Sequence, residues 1–308
     1  LNHPKDYSLK KNLIIGTATG YKYPTMQYFF SSLKNIGFAG DVVILVSDQI
    51  DPESKKTLIE QGIVLIYVKE KALQFTKKYA NSRLWKIHYL FHKFLFTMLN
   101  SGTNRIGRLG RYVKRFHLIS GSRYCFYYDY LQANREKYHY VLLTDVRDVI
   151  FQSDPFIGLN QTELLNFYEE GTTIGKSFYT SYWIKHAFGT KAFDAIKEKM
   201  SICSGTTIGT VERIMHYLEN MIFAQARITA GLTGLGGFDQ GVHNYLIYND
   251  YFPGSRLTAN ADAEVATLGE STSIWFNNEM ELVNREKKVI PVVHQFDRFP
   301  EMKLKALA

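Results

Sequence analysis

Two carboxylates interrupt an apolar stretch near the middle of this 308-residue chain. The segment Tyr140-Val-Leu-Leu-Thr-Asp-Val-Arg-Asp-Val-Ile-Phe151 runs from aliphatic residues into Asp145 and Asp148, then returns to Val149, Ile150 and Phe151. The aliphatic run has the makeup of a buried strand, and a charge at its end is costly unless something neutralises it. Acids at the carboxyl end of a central strand stand where open α/β sheets bind ligands. Hard oxygen ligands this close together suit Mg²⁺ or Mn²⁺ and, through the cation, a diphosphate. The plainer alternative is a polar turn between two strands, with Arg147 neutralising its neighbours. The sharp apolar–acidic–apolar pattern favours the cation.

Two other spacings carry less. His88-Tyr-Leu-Phe-His92 has the i, i+4 separation of helical metal ligands. No Glu follows His88 as a metalloprotease motif requires, and the neighbours are aromatic, so the pair reads as core. The glycines between residues 231 and 237 resemble a phosphate loop only loosely, because no Lys-Ser or Lys-Thr follows them.

Composition narrows the partners. The formal charge of +8 favours polyanionic or phosphorylated ligands. Much of that excess is local, since Arg105, Arg108, Arg111, Lys114, Arg115 and Arg123 share a segment without a single acid. No zinc finger, aromatic RNA-binding signature or basic heptad repeat accompanies them, so no nucleic-acid partner is expected and a solvated, mobile loop is the simpler reading. Cys125 and Cys203 make neither a disulfide framework nor a metal spacing, which leaves a reducing, cytoplasmic setting as the default and a lone disulfide open. No run approaches the ~18–20 apolar residues of a membrane span, and no signal-peptide pattern opens the chain. A start at Leu1 rather than Met leaves room for a trimmed anchor, and so for a lumenal or membrane-anchored parent.

The elements that must position these residues alternate. Strands are expected at residues 12–15, 41–47 and 63–68, with helices from Pro24 to about Ile36 and from Pro52 to Gly62 between them. Further helices are expected from a cap at Ser82 to Leu99 and from Arg123 to Arg135, before the strand that delivers Asp145. Repeated strand–helix–strand units imply a parallel, right-handed sheet with helices on both faces. Residues 102–110 read as a poorly ordered loop. Beyond Pro155 the pattern loosens: residues 163–170 look helical, 177–183 extended, 211–226 amphipathic and helical, and 289–293 a strand ending before His294. Without repeats or a low-complexity linker, the chain reads as one domain with two halves, divided between residues 155 and 156.

Several separated landmarks share an order: the loop from Thr17 to Tyr21, the acids Asp145 and Asp148, Ser204-Gly-Thr-Thr-Ile-Gly209, Phe238-Asp-Gln-Gly241, and His294 near the C-terminus. In this respect the chain resembles the GT-A fold, metal-dependent nucleotide-sugar glycosyltransferases. The resemblance implies an α/β fold with a Rossmann-like, mixed and mostly parallel sheet in a single compact domain. Residues 1–155 would then form the donor-binding half, and residues 156–308 the acceptor-binding and catalytic half. One departure stands out. The family's acidic motif is Asp-any-Asp, whereas two residues separate Asp145 from Asp148 here. Asp148 then takes the second acidic position as metal ligand. Asp145 binds the donor ribose or sugar, or reaches the metal through water.

The resemblance also implies that His294 joins the acids on the metal. Imidazole beside carboxylates suits Mn²⁺ better than an all-oxygen Mg²⁺ site does, while an ordinary polar strand end is the alternative. Asp239 becomes the candidate general base, with a helix N-cap as its structural alternative. Thr17, Thr19, Tyr21 and Asp48 are expected around the donor's base and ribose. Arg123 is expected on the diphosphate, because guanidinium offers bidentate geometry, with surface solvation as the alternative. Ser204, Gly205 and Thr206 would line the sugar pocket.

The resulting expectation is a Mn²⁺- or Mg²⁺-dependent transferase moving a sugar from a UDP-sugar, UDP-xylose or a UDP-hexose, to a glycan hydroxyl with inversion. A retaining transferase of the same fold, a sugar-nucleotide pyrophosphorylase and a non-catalytic carbohydrate or nucleic-acid binder are the alternatives. The pyrophosphorylase signature is missing, because Gly16 to Gly20 contains no Arg.

Overall fold

Asp41-Val-Val-Ile-Leu-Val-Ser47 has no polar face and becomes a central strand, buried on both sides. The computed structural model describes residues 10–69, 83–159, 164–228, 238–269, 275–299 and 302. In chain order the first half comprises β1 (Lys11–Thr17), α1 (Tyr23–Asn35), β2 (Asp41–Ser47), α2 (Pro52–Glu60), β3 (Val64–Val68), α3 (Arg83–Leu99), α4 (Arg105–Phe116), α5 (Ile119–Asn134), β4 (Tyr138–Asp145) and β5 (Val149–Phe151). The second half adds β6 (Leu165–Thr173), α6 (Phe178–Phe188), α7 (Thr190–Ile196), β7 (Met200–Thr210), α8 (Val211–Arg227) and α9 (Phe238–Tyr248). Short strands β8 (Arg256–Thr258), β9 (Val265–Thr267), β10 (Trp275–Phe276), β11 (Leu282–Val283) and β12 (Val292–His294) complete it.

The main sheet has the order β3-β2-β1-β4-β7-β6-β8. Its first four members run parallel, as the alternating pattern predicts. β7 is reversed against both β4 and β6, so the sheet is mixed rather than wholly parallel. Side chains alternate across it. Leu13, Ile15, Val43, Leu45, Val141 and Leu143 pack in one apolar cluster with residues of α4, α5, α8 and α9. Ile14, Ile44, Val46 and Leu142 enter a second with residues of α1 and α2. Each fully buried aliphatic side chain contributes ~1.5–3 kcal/mol. Truncating Leu142, which has no exposed surface, to alanine should cost about 2–5 kcal/mol.

Three segments differ from the sequence reading. Residues 163–170, expected to be helical, contain the start of β6, which pairs with β7 and β8 and buries Leu165 and Phe167 in one apolar cluster and Tyr168 in the other. Tertiary pairing overrides helix propensity there. Residues 177–183, expected to be extended, enter α6. Ser177 supplies the cap, its Oγ accepting from the Thr180 amide at 3.3 Å. The basic stretch expected as a loop forms most of α4, anchored by buried Leu109, Tyr112 and Val113 at helical spacing. The expected cap at Ser82 and the glycines of 231–237 lie outside the described residues.

Two features of this architecture place the chemistry. β4 ends at Asp145, beside Thr17 at the end of β1. A small sheet, β5-β12-β9, then folds back so that His294 pairs with Val149, the residue after Asp148.

Candidate active site

Asp145, Asp148 and His294 each offer a ligand atom to one point, all three atoms lying within 4.8 Å of one another. His294 Nε2 stands 3.7 Å from Asp145 Oδ2 and 3.8 Å from Asp148 Oδ1. The ring is aimed from behind: its Nδ1 lies 3.3 Å from both Cys203 Sγ and Thr267 Oγ1. Nε2 itself is buried and has no hydrogen-bond partner among the described residues. An orphaned imidazole nitrogen facing two carboxylates is what a divalent cation would satisfy, so the donor set fits one. Backbone geometry holds the acids to the ring, since Gln295 adopts left-handed φ of 60° and its amide donates to the Asp148 carbonyl at 2.6 Å. Burial opposes charge on His294, but Cys203, Asp148 and Asp145 outweigh it and raise its pKa to about 10.

Arg123 ties this cluster to Asp239. Nη1 donates to Asp145 Oδ1 at 2.5 Å, and Nη2 to Asp239 Oδ2 at 2.8 Å and to the Ser204 carbonyl at 3.1 Å. Burial works against the arginine's charge, yet Tyr124, Asp145 and Asp239 hold its pKa well above the ordinary value. Asp239 also accepts from Tyr124 and Ser204. Burial pushes its pKa up, Arg123 pulls it down, and the net direction is up. Asp239 belongs to the first turn of α9, which begins at Phe238.

Two cavities meet at these acids. One, of about 270 Å³, is lined by Thr17, Thr19, Tyr21, Ser120 and Arg147 among others. The second, of about 250 Å³, includes Glu170, Trp183, Ser204, Gly205, Asp239 and His294. Arg123, Asp145 and Asp148 line both. A larger cavity of about 710 Å³ lies at the opposite end of the strands, beside Gly40, Asp41 and Val64, and contains no His or Cys.

No protein-family profile and no curated protein matches this sequence. Among solved structures, core-mannan synthase A from Aspergillus fumigatus in its Mn/GDP form is similar over 79% of this chain and 71% of that one, at 13% identity and a TM-score of 0.40. So remote a likeness leaves the classification to the sheet itself. A mostly parallel sheet with one reversed strand, helices on both faces and acids ending the fourth strand is the arrangement that the ordered landmarks imply. The fold is GT-A.

Most residues singled out on the GT-A resemblance converge. Thr17, Thr19 and Tyr21 line the first cavity, Ser204 and Gly205 the second. Thr17 Oγ1 is paired with the Tyr127 hydroxyl at 2.6 Å. Arg123, expected on a diphosphate, borders the first cavity while its guanidinium grips two carboxylates. Asp48 and Thr206 are not brought to the site. Asp48 stands exposed beyond β2, with β1 between it and β4. Thr206 is fully buried. Side chains alternate along a strand, so with Gly205 facing Asp145, Thr206 turns away.

Sequence reasoning missed Cys203, Thr267, Glu170, Trp183 and Gln240. Cys203 and Thr267 orient His294. Glu170 Oε2 accepts from Ser201 at 2.7 Å and from Gln240 at 2.8 Å at the wall of the second cavity. Nothing local marks these residues; β6, α6, β7, β9 and α9 each bring one of them to the site. His88 and His92, read as core, are a buried pair with Nε2 atoms 2.9 Å apart.

Proposed function

We propose that this protein is a metal-dependent glycosyltransferase that moves a sugar from a UDP-sugar to a glycan hydroxyl with inversion. The observation that carries the reading is the convergence of Asp145, Asp148 and the unpartnered His294 Nε2 where two cavities join. Asp145, Asp148 and His294 would hold the cation, and Mn²⁺ suits their mixed nitrogen and oxygen set. Bound there, it would supply positive charge to a departing diphosphate.

The chain's own residues divide the remaining work. Tyr21, Thr17 and Thr19 offer a ring and hydroxyls to the nucleotide in the first cavity, lined entirely by residues of the first half. Arg123 fixes Asp145 and Asp239 relative to each other. The Asp239 carboxylate takes the proton of the acceptor hydroxyl as that oxygen bonds to the anomeric carbon. The bond from that carbon to the diphosphate oxygen breaks, and its electron pair leaves with the diphosphate. A raised pKa makes Asp239 a stronger base. On the acceptor side, Trp183 borders the second cavity and stacks with exposed Tyr179 at 5.7 Å, a platform for a sugar ring.

The test is a panel of UDP- and GDP-sugars with Mn²⁺, scoring released nucleotide for the parent and Asp148→Ala. Turnover of a UDP-sugar that the substitution abolishes supports the reading. Preference for a GDP-sugar overturns the donor assignment, and turnover that survives the substitution overturns the site.

A further inference from the structure

Helix α3 is apolar on two adjoining faces. His88 and His92 are buried, and Leu95, Phe96 and Leu99 pack against the core. Beside them, Ile87, Leu90, Phe91, Phe94 and Met98 form a stripe at i, i+3, i+4, i+7 and i+11, each between 51% and 65% exposed. Helical geometry places these five on one face. Isolated apolar residues on a surface need no explanation, but a continuous helical stripe of large ones does.

The charge around the stripe selects its occupant. The chain has no Asp or Glu from residue 71 to residue 128. Lys86 and Lys93 are exposed on one flank of the stripe. Arg105, Arg111 and Arg115 are exposed on α4, which packs beside α3, and Arg108 of α4 donates to the Leu99 and Ser101 carbonyls. Two copies of this chain meeting through the stripe would bring like charges together. An anionic bilayer offers hydrocarbon to the apolar side chains and phosphates to the flanking cations. Lysine stems reach past an apolar face to keep their ammonium groups at that level.

We propose that the outer face of α3 docks on anionic membrane surfaces, with Ile87, Leu90, Phe91, Phe94 and Met98 in the headgroup boundary and Lys86 and Lys93 on lipid phosphates. This surface attachment requires no membrane span, and among the described residues no helix is long and apolar enough to be one.

The experiment is co-sedimentation of the full chain with vesicles of phosphatidylcholine alone, and with vesicles in which phosphatidylglycerol replaces about a third of it. Binding is expected only to the anionic vesicles, weakening as salt rises. Leu90→Gln with Phe94→Gln should abolish it, while Lys86→Gln with Lys93→Gln should weaken it roughly 20–30-fold, about fivefold for each lysine. Circular dichroism of each variant should match the parent, because all four side chains are exposed. Equal binding to both vesicle types, or binding untouched by the Leu90 and Phe94 substitutions, overturns the proposal. So does a self-associated species in sedimentation velocity that those substitutions dissolve, which would assign the stripe to a second copy.

Discussion

Gly205 sits against Asp145 so closely that a Cβ on the glycine would stand 2.6 Å from Asp145 Oδ2. The same carbon would lie 2.9 Å from the His294 ring, and Arg123 prevents Asp145 from simply swinging aside. Gly205 therefore keeps open the space between acid and imidazole that a shared cation would need. Its φ is not left-handed, so alanine is tolerated by the backbone and the effect falls on the site. Gly205→Ala should lower Mn²⁺ affinity about 10–100-fold, the usual scale for disturbing the support of metal ligands. Mn²⁺ titration by calorimetry, with the melting temperature as a fold control, checks this.

As the proposed general base, Asp239 should separate chemistry from binding. Its carboxylate borders the second cavity and not the first. Asp239→Asn should leave UDP affinity within about twofold while turnover falls ~10²–10⁴-fold, the contribution of a positioned general base. Steady-state kinetics beside UDP titration distinguish the outcomes. Equal loss of both would reduce Asp239 to a structural partner of Arg123.

Stability without metal should peak near neutral pH. Burial lowers the pKa of His117 and His243 to about 3 and of His92 to about 4, from 6.5. The unfolded chain then binds more protons across that window, so stability falls as pH drops below 6.5, by about 1.4 kcal/mol per pH unit per histidine. His294 acts in the opposite direction. With its pKa raised to about 10, its stabilising contribution is complete below 6.5 and is lost as pH rises toward 10. Melting temperatures from pH 4 to 10 in chelator should therefore fall on both sides of a maximum. A profile still rising above pH 8 contradicts the charged His294.

Much of this was legible in the sequence, and for identifiable reasons. β2 and β4 are continuous apolar runs, and burial on both faces is the only economical use for them. Asp145 and Asp148 stood out because their neighbours gave them no partner other than Arg147. What failed was decided at long range. Residues of β6 have acceptable helix propensity and become a strand because β7 and β8 flank them. The basic stretch of α4 hides its apolar face, Leu109, Tyr112 and Val113, among arginines. Asp48 follows β2, which β1 separates from β4, and it lines neither cavity. Cys203 and Thr267 meet His294 across 91 and 27 residues of chain, separations that leave no local pattern.

If Asp145, Asp148 and His294 hold a divalent cation, nucleotide binds through it. Calorimetric titration of UDP into the protein, with Mn²⁺ and then with chelator, addresses it directly, using Asp148→Asn and His294→Ala beside the parent. UDP binding should appear only with Mn²⁺ and be lost or weakened at least tenfold in either variant. UDP binding of equal strength in chelator, or unchanged in both variants, would contradict it.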